Sequence, residues 1–259
     1  NVWGEIYPFA AGQTTINAAF VRPENWVEKL GNKYEETMQD PLTGEFYTLE
    51  KYKEVLEKAP ATQIVLYKMD PSAIPDWCRL QGITCASDAM MVPGGWDDSL
   101  AWDTPYEDVP NTHPRLAGTH GTCLRLAREQ SIPLMQVVAA SSFNAAKHLG
   151  DTGLEAMKIR GRLQEGMIAD ITLFDPKTVK ENATYAKGTN PTTGIPYVIV
   201  NGQVVVKDSV VQKDVNPGQP IRFPQEDKPR FQPLEKKSWT KQWINNPSGF
   251  HGLDVEHQH

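Results

Sequence analysis

The feature that most constrains the fold is a short apolar run that ends in a carboxylate and leads into a long loop. Residues 83–87 form the run, Asp88 follows at once, and a loop rich in proline, glycine and acidic residues continues to Arg115. An α/β barrel presents its catalytic side chains in this way, at the carboxyl ends of strands and on the loops that follow them. The stretch therefore predicts that Asp88 and Arg115 lie on one face of an α/β fold.

Composition argues against several classes of protein. The chain has 259 residues and a formal net charge of −6, with no run of basic residues. This charge pattern favours neither nucleic acid nor an anionic membrane surface as a partner. No apolar run approaches the roughly 18 residues of a membrane-spanning helix. The three cysteines, Cys78, Cys85 and Cys123, fit neither a metal-binding spacing nor a disulfide framework, so we expect buried free thiols.

The first part of the chain reads as alternating strands and helices. A strand over 64–69, a helix over 71–80 and a strand over 83–87 follow one another, an order typical of a βαβ unit in a parallel sheet. The first of these strands is either a barrel strand or part of a lid-like insertion. Small residues over 11–15 predict a loop that lets a ligand approach.

Helices are also predicted elsewhere in the chain. One follows Thr48, which is placed to cap it. Two more are expected over 116–130 and 133–149, the second with a break near Ser141-Ser142 and with Gly150 as its C-terminal cap.

The composition changes at residue 161, where β-branched runs begin. The runs lie at 170–175, 197–200 and 203–207, and Asn201-Gly202 between the last two is a strong hairpin signal. We therefore divide the chain into three regions. Residues 1–160 are the catalytic part, 161–211 a small β unit, and 212–259 an extended tail anchored on a surface by Phe223, Phe231, Trp239 and Trp243.

Four residues are candidates for a site, and each has an ordinary structural interpretation. Asp88 can act as general base and acid in a metal-assisted hydrolase, or it can simply cap its loop. Arg115 can bind a substrate carboxylate through two parallel hydrogen bonds, or pair with acidic loop residues. His113 can orient Arg115, and Tyr7 can offer its phenol to a carbonyl or carboxylate; both can also be plain core residues.

Metal ligands are scarce in the sequence. A hydrolytic metal site needs several His, Cys or carboxylate ligands that converge from different strands. The only His-x-His pair is His257 and His259, at the end of a polar tail, where no role in a buried metal site is expected. A serine-nucleophile motif of the form G-x-S-x-G is also absent from the sequence. The chain thus carries a base and an anion clamp without the ligands of a metal site.

Six motifs in register resemble the C-terminal half of the D-aminoacylases, the N-acyl-D-amino-acid deacylases of the amidohydrolase superfamily, and most closely the N-acyl-D-glutamate deacylase branch. The motifs are GEIYPFAAGQTT, ITCASDAM, NTHPRLAGT, GRLQEGMIADITLFDPKTV, YVIVNGQVVVKD and VNPGQPIRF. This resemblance implies a hydrolase with one or two zinc ions, built on a (β/α)8 barrel with a small β-sandwich.

The resemblance also implies roles for individual residues. Asp88 corresponds to the aspartate that contacts the metal site and shuttles the proton, Arg115 to the arginine that binds the substrate carboxylate, and Tyr7 to the first tyrosine of a YPY-like motif. Phe9 departs mildly from that motif. Gln13 stands near a position where some relatives carry serine, which leaves the substrate preference there open.

The family's remaining metal ligands precede the YPY-like motif and are missing from this sequence. A barrel of this type needs about 250 residues for itself, and far fewer residues here are barrel-like. We therefore expect the chain to be the C-terminal portion of a longer enzyme, completed by an N-terminal partner chain. Two alternatives stay open: a non-catalytic scaffold that has lost its metals, and an amidohydrolase acting on a cyclic amide or another acylated amine.

Overall fold

The computed structural model describes residues 2–89, 92, 100–101 and 103–224. The chain divides into a compact unit, Asn1–Arg222, and a second segment that starts at Phe223. Within the described residues, helices and strands are mixed along the chain, as the predicted α/β class requires. No helix in this part of the chain combines the length and the apolar character that crossing a membrane would take.

Nine strands occur in the described part of the chain. They are β1 Glu5–Ile6, β2 Ala11–Thr15, β3 Met38–Gln39, β4 Gln63–Tyr67, β5 Thr84–Cys85, β6 Ile171–Leu173, β7 Tyr197–Val200, β8 Gln203–Lys207 and β9 Val210–Val211. The α-helices are α1 Tyr34–Thr37, α2 Leu49–Lys58, α3 Ile74–Cys78, α4 Arg115–Glu129, α5 Leu134–Ser141, α6 Phe143–Asp151 and α7 Glu155–Lys158. Short helices of other types lie at Ala19–Val21, Glu24–Lys29 and Pro71–Ala73.

A parallel pair of strands, β1 and β5, forms the first sheet. Glu5 lies opposite Thr84, and Ile6 lies opposite Cys85. Helices α4 and α5 pack against β5. The apolar core there includes Cys85, Cys123 and Val137, with Ile6 of β1 packed against it. The parallel partner of β5 is therefore β1, far away in sequence.

The second sheet is antiparallel and corrects two predictions. Its strand order is β2-β4-β3, with Ala11 opposite Tyr67 in the β2–β4 pair. The segment predicted as a small-residue loop is thus strand β2. The run predicted as the first strand of a βαβ unit is β4, which belongs to this separate sheet and makes no parallel pair with β5. The alternative of a lid-like insertion stays a prediction.

Aromatic residues hold the antiparallel sheet and its helices together. Trp26, Tyr34 and Tyr52 are fully or almost fully buried in one apolar cluster. The Tyr34 and Tyr52 rings stack at 4.7 Å, and the Tyr34 hydroxyl donates to the Val21 carbonyl at 2.6 Å. Burial of several aromatic rings gives this small unit a core of its own.

The helix boundaries agree with most of the predictions. The Thr48 hydroxyl accepts a hydrogen bond from the Lys51 amide at 3.1 Å, so α2 is capped as expected. The long helix predicted over 133–149 is broken at Ser142, between α5 and α6. Gly150 was expected to end α6, but the helix continues through it, and the glycine that follows the helix in a left-handed conformation is Gly153, with φ +100°.

The third sheet has the antiparallel order β6-β7-β8-β9. Asn201 and Gly202 join β7 to β8 with φ values of +47° and +80°, the geometry expected for a tight hairpin turn. The β-branched runs and the hairpin are therefore confirmed. Beyond residue 224 the predicted tail, with Phe231, Trp239 and Trp243, lies outside the described residues.

The capping interaction of α2 can be tested by mutation. Thr48→Ala should lower the free energy of unfolding by about 1 kcal/mol, because the Lys51 amide loses its partner. Thr48→Ser keeps a hydroxyl and should stay close to wild type. Urea unfolding followed by circular dichroism measures both, and equal losses in the two variants would contradict the role of the hydroxyl.

Candidate functional site

The candidate site lies where the parallel strands β1 and β5 end. The Ala86 amide donates to the Ile6 carbonyl at 2.9 Å, so the two backbone segments still run side by side just beyond β5. Tyr7 follows β1 directly, and Asp88 comes three residues after β5. Because carboxyl ends of parallel strands meet at one edge, both side chains reach the same region. Asp88 has a φ of +47°, a left-handed conformation that aspartate tolerates better than most residues.

Arg115 joins this edge from the first position of α4. Its Nη1 atom lies 2.9 Å from Oδ2 of Asp88, which confirms the predicted proximity of the two residues. The Arg115 side chain is only 2% exposed, whereas that of Asp88 is 60% exposed. The cation is therefore fixed inside the protein, and its carboxylate partner faces solvent.

Tyr7 packs against the same guanidinium. The central carbon of the guanidinium lies 5.0 Å from the centre of the Tyr7 ring. Burial raises the pKa of the Tyr7 phenol; the Arg115 charge opposes this shift, and the Asp88 charge adds to it. The phenol therefore keeps its proton at neutral pH and can donate a hydrogen bond.

His113 is fully buried and positions the start of α4. Its Nε2 atom lies 2.8 Å from the Ala11 carbonyl, and its Nδ1 atom accepts from the Arg115 amide at 3.1 Å. An Nδ1 that accepts leaves the proton on Nε2, which donates to Ala11. Burial, together with the nearby Arg115 charge, lowers the pKa of His113 to about 3. The imidazole is thus neutral near pH 7, which suits a positioning role and excludes that of a proton donor to substrate.

Gln13 is a site residue whose contacts the sequence did not indicate. Its side-chain oxygen accepts from the Thr112 hydroxyl at 3.2 Å and from the His113 amide at 3.1 Å. Its backbone carbonyl accepts from Nη2 of Arg115 at 3.4 Å. The side-chain amide also donates to Gln63 of β4. Gln13 therefore connects the antiparallel sheet to the turn that carries Arg115.

A segment around residues 181–190 closes the far side of the turn. The Tyr185 hydroxyl accepts from the Ala11 amide at 3.2 Å, and its ring lies 5.2 Å from that of His113. Asn111 donates to the Tyr185 carbonyl at 2.8 Å and accepts from the Gly188 amide at 2.7 Å. No pattern in the sequence marks Tyr185 or Asn111 as a site residue, because 181–190 has no periodicity and Asn111 is only one position of the NTHPRLAGT motif.

Glycine is required at position 188 by close packing. A Cβ atom there would lie 1.9 Å from the Thr112 carbonyl oxygen, far inside van der Waals contact. The segment can therefore approach the residue before His113 only because residue 188 has no side chain.

The described residues do not make a metal site by themselves. No group of three or more His, Cys, Asp or Glu side chains that could hold a metal ion exists within 2–89, 92, 100–101 and 103–224. The only acidic side chain beside the Arg115 guanidinium in this region is Asp88, which is paired with it. His257 and His259 lie outside the described part of the chain. Asp88 can supply one ligand, and the others would have to come from elsewhere.

The chain is similar in sequence to curated proteins that include a D-aminoacylase and an N-acyl-D-glutamate deacylase. The chain is 38% identical to a D-aminoacylase from Alcaligenes xylosoxydans xylosoxydans over 103 residues, which cover 39% of this chain and 20% of that protein. It is 37% identical to an N-acyl-D-glutamate deacylase of the same organism over 104 residues, which cover 38% of this chain and 20% of that protein. No family model matches the chain. The match thus spans about a fifth of each relative.

Solved structures show the same relationship at the level of fold. A D-aminoacylase described as defining a novel subset of amidohydrolases aligns with a TM-score of 0.58 and 22% identity, over 81% of this chain and 40% of that chain. An N-acyl-D-glutamate deacylase from Bordetella bronchiseptica, complexed with zinc and a phosphonate inhibitor, aligns with a TM-score of 0.62 and 24% identity, over 85% and 42% respectively. The resemblance to D-aminoacylases is confirmed, and the chain shares part of their fold.

The neutral state of His113 predicts a dependence of stability on pH. Between its ordinary pKa of 6.5 and the folded value of about 3, unfolded His113 binds a proton that the folded residue does not. Stability should therefore fall as the pH falls through this window, with up to about 1.4 kcal/mol per pH unit from this residue. His113→Asn retains a hydrogen-bond acceptor but cannot titrate, so its unfolding free energy should decline less steeply than that of wild type. Parallel slopes in urea titrations from pH 6.5 to pH 4 would contradict the assignment.

Proposed function

We propose that this chain belongs to a metal-dependent amidohydrolase of the D-aminoacylase type and supplies the C-terminal part of its active site. The proposed reaction is hydrolysis of the amide bond of an N-acyl-D-amino acid, with N-acyl-D-glutamate as the expected kind of substrate, to a carboxylate and a free D-amino acid. The observation that carries the proposal is the contact between exposed Asp88 and buried Arg115 at the ends of two parallel strands. The relatives named above are deacylases of this class.

Arg115 is proposed to bind the substrate carboxylate. A guanidinium matches the two oxygens of a carboxylate, and here it is held in one orientation by its own buried surroundings. Its Nη2 atom contacts Gln13, and its buried Nε atom has no hydrogen-bond partner among the described residues. A substrate carboxylate would take the place of Asp88 as the partner of this cation.

Asp88 is proposed to carry the proton. When a substrate carboxylate occupies Arg115, the Asp88 carboxylate is released toward solvent and the scissile bond. It can then accept a proton from the attacking water and return it to the leaving amine, which is general base followed by general acid catalysis. His113 is unsuited to this part because both of its ring nitrogens are engaged within the protein and its pKa of about 3 makes it a weak base. Tyr7 keeps its proton and can donate a hydrogen bond to the substrate.

One or two zinc ions are part of the proposal, with most ligands from an N-terminal partner chain. When bound, zinc polarises a carbonyl and lowers the pKa of a bound water. The described residues do not fit such a site alone, so the proposal places only Asp88 of this chain at the metal. The partner chain is supported by the length of the solved relatives, which are more than twice as long as the region aligned here. Zinc is supported by one of these relatives, which was complexed with zinc.

The finer architecture is also proposed. We infer that β1 and β5 are neighbouring strands of a (β/α)8 barrel, because they are parallel and are covered by helices. We further infer that the sheet β6–β9 is one layer of a small β-sandwich. None of the residues in β6, β7, β8 and β9 is fully buried. Ile199 and Val204 lie opposite each other on one face of this sheet, and this apolar face can pack on a second layer.

A non-catalytic scaffold is the second candidate function. It is favoured by the lack of a metal-binding group among the described residues. Against it stands the buried Arg115, since an unneeded charge at this depth is costly to retain.

The role of Arg115 predicts a specific kinetic change. In the native assembly, Arg115→Ala should raise KM for N-acyl-D-glutamate by about 100-fold or more, because a buried charged hydrogen bond is lost. Arg115→Lys keeps the positive charge but loses the planar guanidinium, so its KM should lie between those of wild type and Arg115→Ala. Arg222→Ala, an exposed arginine outside the site, is the matched control and should leave KM unchanged. An unchanged KM in Arg115→Ala would reject the clamp and favour a substrate without a carboxylate, such as a cyclic amide.

The partner chain predicts the composition of the native assembly. Denaturing electrophoresis should show a second polypeptide with a His-x-His pair, and metal analysis should find one or two zinc ions per pair of chains. Full activity from the 29.0 kDa chain alone would refute the partner. A paired assembly with neither zinc nor activity would support the scaffold.

A further inference from the structure

The three cysteines converge in space although they are distant in sequence. Cys85 lies on β5, Cys123 lies two turns into α4, and Cys78 is the last residue of α3. All three are buried in one apolar cluster. The Sγ atoms of Cys85 and Cys123 are 3.0 Å apart. The spacing of the cysteines in the sequence predicts buried free thiols, but it does not predict that the three side chains lie close to one another.

Cys123 is the centre of this thiol trio, Cys78, Cys85 and Cys123. Its sulfur lies 3.0 Å from that of Cys85, and both Cys78 and Cys85 raise its pKa. His120 lies on α4, one helical turn before Cys123. The hydrogen bond from Cys123 is the main cause that lowers the pKa of Cys85, and His120 adds to the effect; the pKa of Cys123 is raised. These shifts make Cys85 a stronger acid than Cys123.

We propose that Cys85 and Cys123 form an oxidation site, in which a peroxide converts the two thiols to a disulfide and Cys78 can replace Cys85 as the partner of Cys123. The Cys85 thiolate attacks one peroxide oxygen, breaks the O–O bond and becomes a sulfenic acid, and hydroxide leaves. Cys123 sulfur then attacks the Cys85 sulfur, an S–S bond forms, and the sulfenic oxygen leaves as water with the Cys123 proton. Two thiol sulfurs are oxidised by two electrons in total, and one peroxide is reduced.

The geometry favours this reaction over other uses of the trio. A disulfide needs an S–S distance of about 2.05 Å, so the two sulfur atoms must approach by only about 1 Å. Among residues 2–89, 92, 100–101 and 103–224 these side chains do not form a group suited to a metal ion. The bond would connect the strand that leads to Asp88 with the helix that begins at Arg115, yet the proposal does not depend on the hydrolase activity.

Tryptic peptides make the test direct. Cleavage after lysine and arginine places Cys78 in peptide 69–79, Cys85 in 80–115 and Cys123 in 116–125. The reduced full chain is treated with hydrogen peroxide, denatured, alkylated with iodoacetamide and analysed by mass spectrometry. We expect a loss of about 2 Da before alkylation, a link between 80–115 and 116–125, and an alkylated Cys78. Three alkylated cysteines, or a sulfinic acid at Cys85 without a link, would overturn the proposal.

Variants test the central place of Cys123. Cys78→Ala should form the same link as wild type, and Cys85→Ala should instead link 69–79 to 116–125. Cys123→Ala should form no intramolecular disulfide, so a link between 69–79 and 80–115 in this variant would contradict the proposal. Because Cys123 is only 2% exposed and its replacement can disturb folding, the first two variants decide the matter independently. The proposal would be rejected if Cys78→Ala formed no link between 80–115 and 116–125. It would also be rejected if Cys85→Ala formed no link between 69–79 and 116–125.

Discussion

The burial of one guanidinium group is the constraint on which the site depends. A cation at 2% exposure is costly unless other groups compensate for the water it has lost. Arg115 receives this compensation from three separate parts of the chain: the Asp88 carboxylate, the Gln13 carbonyl and the face of the Tyr7 ring. All three groups contribute to the stabilisation of the same buried charge. One charge therefore contacts the ends of β1 and β5 and the middle of β2.

A second layer of neutral groups holds the turn that carries this charge. His113 and Gln13 bridge the turn to β2 with hydrogen bonds that need no net charge. Keeping the imidazole neutral avoids a second cation beside Arg115, in agreement with its strongly lowered pKa. Because both ring nitrogens are occupied in this way, the histidine holds the turn in position. The site thus separates a rigid positive element from a solvent-facing acidic one.

The antiparallel sheet contributes to the site through β2. The strand gives Ala11 and Gln13 to the turn on one side, and it pairs with β4 along its whole length on the other. Behind it lies the aromatic cluster of Trp26, Tyr34 and Tyr52. Rigidity at Arg115 therefore depends partly on a core that contains no site residue.

Local patterns in the sequence were sufficient wherever the determining interaction is itself local. The cap of α2 by Thr48, the break at Ser142 and the Asn201-Gly202 turn depend on residues a few positions apart, and all were predicted. The proximity of Asp88 and Arg115 was also predicted, because strand ends and following loops share one edge in α/β folds. Only the tertiary structure showed that β4 pairs with β2, that Tyr185 packs on His113 and that the three thiols meet. These contacts join residues 38 to 72 positions apart, the larger separation being 185 − 113, and choosing among such partners depends on global packing, which no local pattern encodes.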